Sequence, residues 1–207
     1  MQTILERPQA ARALLVLAHG AGAGMNHPFM AAIAAALAER RLATLRFEFD
    51  YMSAKGKRPD PPARLQARVR EAVGEAARQG LPVFAGGKSM GGRMTSLAEA
   101  TQPLGVRGLV FLGFPLHPAG RPAAERGAHL PSITTPMLFL QGTRDALADL
   151  TLLAPLLGPI PSAELVVIEG ADHGFSVLKR AGRTPAEVLG ELAGHVARFV
   201  GAILEGS

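Results

Sequence analysis

Cysteine and tryptophan are both absent from the 207 residues, and tyrosine occurs once. Without a thiol, disulfides, thiolate metal sites and a cysteine nucleophile are excluded together. The absence fits a reducing compartment, and a cytoplasmic location is expected. The chain does not begin with a basic segment followed by a long apolar stretch, so no signal peptide is read. No apolar run approaches the ~20 residues needed to span a bilayer, and no membrane partner is expected. Aromatic residues make up only 5%, and the net charge of +5 comes from arginines and lysines scattered along the chain. That is a poor footprint for nucleic acid, so no nucleic-acid partner is expected. No pair of histidines has metal-ligand spacing, and neither a metal nor another cofactor is expected.

What is present is an ordinary globular composition, 48% apolar and 19% charged, in a chain long enough for one real core. Neither a repeat nor a linker interrupts it, so residues 1–207 read as a single domain.

Residues 13–18 form a continuous apolar run, the pattern of a strand buried on both faces. Residues 1–12 add an edge strand. Residues 28–40 carry Phe29, Ile33 and Leu37 at intervals of four, which predicts an amphipathic helix with His27 at its start. A strand is expected over 42–49, then a basic loop at 53–62. Asp60 is placed to cap the next helix, with Pro61 at its first position and Gly80 closing it. Further strands are expected at 82–86, 106–112, 137–141 and 164–168, and a short helix at 145–157. Thr184-Pro185-Ala186-Glu187 is a capping box opening a last helix, whose buried side carries Val188, Leu192, Val196, Phe199 and Ile203. Alternating strand and helix patterns imply βαβ units, hence a mostly parallel sheet of about six to seven strands flanked by helices. The connection at 113–135 is long for an ordinary loop and is expected to be a small flap over the functional site.

The strand at 82–86 leads into Gly86-Gly87-Lys88-Ser89-Met90-Gly91-Gly92-Arg93. Gly87 to Gly91 match G-x-S-x-G, a strand-to-helix turn too tight for side chains at its flanks, with the serine raised clear of the sheet. A phosphate loop is excluded because Pro82 stands where that pattern needs glycine. A structural glycine-rich turn without chemistry is the competing reading.

A serine hydroxyl needs a base, and the base needs a third group to orient it. In a parallel sheet such groups lie in loops at the carboxyl ends of strands. Asp145 follows the strand at 137–141, and His173 follows the one at 164–168. The expected catalytic residues are therefore Ser89, Asp145 and His173, in the chain order of α/β-hydrolases. Each has a blander reading. Asp145 could cap the helix it precedes, and His173 could be a plain loop residue. Asp149, one turn inside that helix, is the rival acid, while Asp172 is expected to shape the turn before His173. The oxyanion donors are expected to be the N–H groups of Met90 and Ala21, with Gly22 as the alternative to Ala21. His19 is expected to hold that glycine-rich loop and not to act as a base. His195 is read as structural. Gly22, Phe114 and His117 are expected to touch substrate, with His129 a further flap residue.

His19-Gly20-Ala21-Gly22-Ala23-Gly24-Met25, Arg46-Phe47-Glu48-Phe49, the elbow, Gly113-Phe114-Pro115-Leu116-His117-Pro118, Gln141-Gly142-Thr143-Arg144-Asp145 and Asp172-His173-Gly174-Phe175 together resemble the small α/β-hydrolases related to dienelactone hydrolase. More narrowly, they resemble the subgroup of predicted α/β-hydrolases that carries the G-G-K-S-M-G-G-R elbow. The resemblance spans nearly the whole chain. It implies the α/β-hydrolase fold and cleavage of a carboxylic ester or thioester of a small-molecule acyl substrate through an acyl-enzyme. Dienelactone hydrolase itself carries cysteine where this chain has Ser89, so its particular substrate does not transfer. The subgroup also resembles a domain of eukaryotic chromatin-regulating complexes, which implies the alternative of a non-catalytic interaction module. A separate expectation concerns charge: Lys55, Lys57 and Arg58, with Arg46 and Lys88, could favour anionic acyl substrates, against the reading of a solvated loop.

Overall fold

The computed structural model describes residues 2–206. Its strands are β1 (Thr3–Glu6), β2 (Ala13–Ala18), β3 (Leu42–Phe47), β4 (Val83–Lys88), β5 (Leu109–Leu112), β6 (Met137–Gly142) and β7 (Ala163–Ile168). They form one sheet in the order β1-β3-β2-β4-β5-β6-β7, parallel except for β1, which runs antiparallel to β3. The helices are α1 (Pro28–Ala38), α2 (Asp50–Ser53), α3 (Pro62–Ala77), α4 (Met90–Thr101), α5 (Leu150–Leu157) and α6 (Pro185–Glu205).

Strand periodicity divides the core in two. Leu14, Val16 and Ala18 of β2 join Leu65 and Val69 of α3, Met94 of α4 and Leu153 of α5 on one face. Leu15 and Leu17 point the other way, toward Ile33 and Leu37 of α1 and Leu192 and Val196 of α6. The central strands are buried on both faces, which explains their unbroken apolar runs. Among the described residues no helix is long and apolar enough to cross a membrane.

The chain passes from β2 through α1 to β3 on one side, then returns across β2 through α3 to β4. Loops leaving the carboxyl ends of β2 and β4 therefore diverge, which opens a crevice at the strand-order reversal. Ser89 stands there. The backbones at this point are nearly in contact: a Cβ on Gly86 would lie 1.8 Å from the Val110 carbonyl oxygen, and one on Gly91 would lie 2.5 Å from that of Ala18.

Several local expectations need correction. Asp60 does not cap α3, whose cap position is Pro61 with Pro62 as first helical residue. Its carboxylate instead accepts the Tyr51 N–H at 2.9 Å, tying α2 to the loop. The helix expected from residue 145 starts at Leu150, and Asp149 is its cap, accepting the Thr151 N–H at 2.8 Å. The connection at 113–135 carries two short 3-10 turns, and none of its residues lines the cleft beside Ser89. Phe114, Leu116, Leu130 and Ile133 are buried in the α3–α4–α5 side of the core, which pulls the segment down beside the sheet. The capping box at Thr184 and Glu187 forms as expected.

Glycine demand at β4 is testable against a neutral site. Gly86→Ala drives a Cβ into strand backbone that cannot yield, and should lose about 3 kcal/mol or more in urea unfolding. Gly74→Ala on α3, where nothing lies within 4 Å, should gain roughly 0.5–1 kcal/mol from helix propensity. Equal responses would mean that the close approach of β4 to β5 is not constraining.

Candidate active site

Ser89 caps α4 with φ 52° and ψ −121°, a backbone state that side-chain-bearing residues rarely adopt. Its N–H donates to the Leu112 carbonyl at 3.1 Å, and its own carbonyl accepts from Arg93 at 3.1 Å. These two bonds pin the turn from either side, and the hydroxyl projects from its apex. The Ser89 Oγ lies 2.8 Å from His173 Nε2, and His173 Nδ1 lies 2.7 Å from Asp145 Oδ2. A carboxylate only accepts hydrogen bonds. The imidazole therefore carries its proton on Nδ1, which leaves Nε2 to accept the serine hydroxyl.

Both partners are held by their loops. Asp145 is buried, with Oδ1 accepting the Leu147 N–H at 2.8 Å and Oδ2 accepting from Gln141 Nε2 at 2.5 Å. These bonds occupy its carboxylate, so Asp145 is not spent as a helix cap. Asp172 behaves as expected: its Oδ1 accepts the N–H groups of Gly174 and Ser176, both at 2.9 Å, and closes the turn that presents His173. A Cβ on Gly142 would stand 2.2 Å from the Ala171 carbonyl oxygen, so the two loops can meet only with glycine there.

The loop after β2 passes over Ser89. A Cβ on Gly20 would be 3.6 Å from the Ser89 Cβ. The Gly22 N–H donates to the Tyr51 hydroxyl at 3.1 Å, which removes Gly22 as the alternative oxyanion donor. Among the described residues no hydrogen bond engages the N–H of Ala21 or of Met90, the first residue of α4. His19 holds this loop: Nδ1–H donates to the Gly20 carbonyl at 2.8 Å, and Nε2 accepts the Phe49 N–H at 3.2 Å. Burial lowers its pKa from the usual histidine value, consistent with a neutral ring serving as both donor and acceptor. Glu48 accepts the Met25 N–H at 3.2 Å, and Arg46 donates to the Met25 carbonyl at 3.2 Å. The loop is thus tied to the end of β3 at several points.

A cleft of about 360 Å³ opens beside Ser89. Ala21, Phe29, Lys88, Leu147 and His173 are among its walls. Some expected contacts lie elsewhere. Phe114 is buried between Phe111 and Phe139, with ring centroids 5.8 and 5.6 Å away. His117 is buried, its Nδ1–H donating to the Pro118 carbonyl at 2.9 Å and its Nε2 accepting the Asp149 N–H at 2.8 Å. Gly22 does not line the cleft, and His129 is bonded to Ser96 at 2.7 Å on α4. The charge expectation narrows as well. Lys55, Lys57 and Arg58 are exposed and Arg46 is buried under the loop, so Lys88 is the cationic residue of that set that reaches the cleft. Tyr51, Leu147 and Phe29 were not singled out as site residues. Tyr51 had one available signal, being the chain's lone tyrosine, whereas Leu147 and Phe29 carry no mark that separates them from core residues. Among the described residues no three histidine or acidic side chains converge as a metal site.

The Lys88 Nζ is buried without a hydrogen-bond partner, 6.0 and 5.5 Å from the ring centroids of Phe29 and Phe175. Burial brings its pKa down to about 8, partly offset by Asp145 and then Asp172.

A seven-stranded, mostly parallel sheet with a serine turn after its central strand defines the α/β-hydrolase fold. Residues 11–201 match the family described as the alpha/beta hydrolase domain, and the chain belongs to that family. Solved structures agree in fold. Dienelactone hydrolase from Anabaena variabilis is 24% identical, with 95% of this chain and 89% of that one covered and a TM-score of 0.71. An a/b serine hydrolase without a lid from Xanthomonas campestris is 20% identical, over 95% and 88%, with a TM-score of 0.73. Est1E from Butyrivibrio proteoclasticus, solved with ferulic acid bound, is 18% identical over 92% of each chain, with a TM-score of 0.69.

The buried amine makes a stability prediction. A base whose folded pKa lies below its unfolded value destabilises the fold at pH below both values, and the penalty fades as pH rises from about 8 toward the ordinary lysine range. Lys88→Met should therefore raise stability at pH 7, by on the order of 3 kcal/mol if the packing is kept. The gain should shrink steadily above pH 8 in denaturant titrations. A gain that is flat with pH would show that the charge is not the cause.

Proposed function

We propose that the protein is a serine hydrolase that cleaves a carboxylic ester or thioester of a small acyl substrate through an acyl-enzyme. The observation that carries this reading is the continuous hydrogen-bonded chain Ser89–His173–Asp145 at the mouth of a cleft. His173 Nε2 takes the hydroxyl proton as Ser89 Oγ attacks the carbonyl carbon. The carbonyl oxygen becomes an oxyanion, and the N–H groups of Ala21 and Met90 donate to it, each worth about 3 kcal/mol in comparable sites. When the tetrahedral species collapses, the bond to the leaving oxygen or sulfur breaks, and the imidazolium returns its proton to that atom. A water molecule then repeats the sequence on the acyl-serine, with His173 again as base, releasing the acid and restoring Ser89. Asp145 keeps the imidazole in the required tautomer and balances its transient charge.

A non-catalytic module has no physical need for a hydroxyl, an imidazole and a carboxylate in line, or for a strained serine backbone. Turnover of short p-nitrophenyl esters and labelling by a fluorophosphonate test the assignment. Ser89→Ala should abolish labelling, and both it and His173→Gln should lower kcat by about 10³-fold or more. Wild-type and Ser89→Ala protein behaving alike in both assays would overturn the assignment.

A further inference from the structure

Two cavities meet at Phe29. The first is the cleft beside Ser89. The second, of about 480 Å³, lies between the segment after β7 and the first turns of α6, with Phe175, Val177, Val188 and Leu189 among its walls. Among the described residues, Phe29 and Gly174 line both. Gly174 has no side chain, so the bulk at the boundary is the Phe29 ring. Phe29 opens α1, where the loop that passes over Ser89 ends. Its ring stacks on that of Phe175, with centroids 5.8 Å apart and planes 13° apart. Phe175 is buried in the core shared by α1 and α6, whereas Phe29 is half-buried. The stack therefore fixes the exposed ring against an anchored one.

This ring is not what docks α1. Met30, Ile33 and Leu37 do that, all buried against the sheet and α6. What the ring at 29 does is end the cleft on that side. The walls beyond it are again mostly apolar, so without the ring the two spaces would run together and a substrate chain could continue from one to the other. Each methylene that leaves water for such walls gains about fourfold in binding. With the ring in place that gain stops where the cleft ends, and any longer chain must turn out into water.

We infer that Phe29 sets the length of the apolar chain that a substrate carries into the cleft, and restricts the enzyme to short-chain esters or thioesters. This rests on the hydrolytic reading above and narrows it to a substrate class. The apolar chain belongs to the acyl part or to the alcohol, and the boundary acts on whichever part lies along α1.

The test therefore uses two series, p-nitrophenyl esters from acetate to octanoate and n-alkyl acetates from ethyl to octyl. In the series whose chain meets Phe29, wild-type kcat/KM should fall at the long end. Phe29→Ala should raise the octyl-to-butyl ratio of kcat/KM in that series by about tenfold or more. Phe29→Leu, which keeps an apolar contact with Phe175, should give a smaller rise, and it decides the matter if Phe29→Ala does not fold. Leu189→Trp fills the second cavity from α6 without lining the first, and combined with Phe29→Ala it should cancel the gain. That double variant also separates the joined cavity from the loss of the ring 6.0 Å from Lys88 Nζ. Ratios unchanged in both series, or a gain that survives Leu189→Trp, would overturn the inference. Calorimetric binding of 2-pentanone and 2-nonanone to Ser89→Ala protein, with and without Phe29→Ala, reads the boundary without turnover. A gain selective for 2-nonanone supports it, and an unchanged preference overturns it. If wild-type protein hydrolyses none of the esters, the hydrolytic reading fails while the ketone comparison still decides the role of Phe29.

Discussion

The structure depends on how closely backbone can approach backbone at the end of β4. The Ala18 carbonyl oxygen lies 2.3 Å from where a Cβ of Gly87 would be and 2.5 Å from where that of Gly91 would be. No side chain fits, so β2, β4 and the first turn of α4 come together as bare main chain. Ser89 is the residue left to make the reversal, and it does so with a positive φ that isolated chains avoid. The strain is sustained by the packed sheet around it. The same contact brings the loop after β2 over the serine, so that hydroxyl and main-chain donors share one cleft.

A second close approach, between Gly142 and Ala171, does the equivalent work for the acid and the base. Asp145 and His173 are 28 residues apart in sequence, yet their hydrogen bond is 2.7 Å long. Each is fixed by bonds of its own, Asp145 through Gln141 and the Leu147 N–H, His173 through the Asp172 turn. The third loop relies on polar groups buried at the end of β3: His19 with Phe49, Glu48 and Arg46 with Met25, Tyr51 with Gly22. These bonds leave the Ala21 N–H unengaged. The site is therefore preorganised by three loops that each satisfy their own polar groups before a substrate arrives.

Against that scaffold the Lys88 Nζ stands out: it is buried and none of its donors is taken, whereas Arg46 and Glu48 each bond to Met25. A cation in such a place weakens the fold.

The order of elements along the chain, and the grouping of Ser89, Asp145 and His173 at one end of the sheet, were legible in the sequence. The apolar runs placed the strands because burial on both faces removes polar residues, and Gly87-Lys88-Ser89-Met90-Gly91 marked the turn because sterics there admit few residue types. Asp145 and His173 were found because parallel strands put functional loops at one end of the sheet. What separates Ala21 from Gly22 was not legible, since it turns on the Gly22 N–H donating to the hydroxyl of Tyr51, 29 residues away. Nor was the burial of Phe114 and His117, which depends on how the 113–135 segment packs against α4 and α5. Local sequence determined the elements, the turn and the groups proposed to react, because those follow from sterics and periodicity within a few residues. Only the tertiary structure decided which loops touch and which N–H groups stay unengaged. It also decided that Lys88, and not the basic loop, reaches the cleft, because these depend on contacts between segments far apart in the chain.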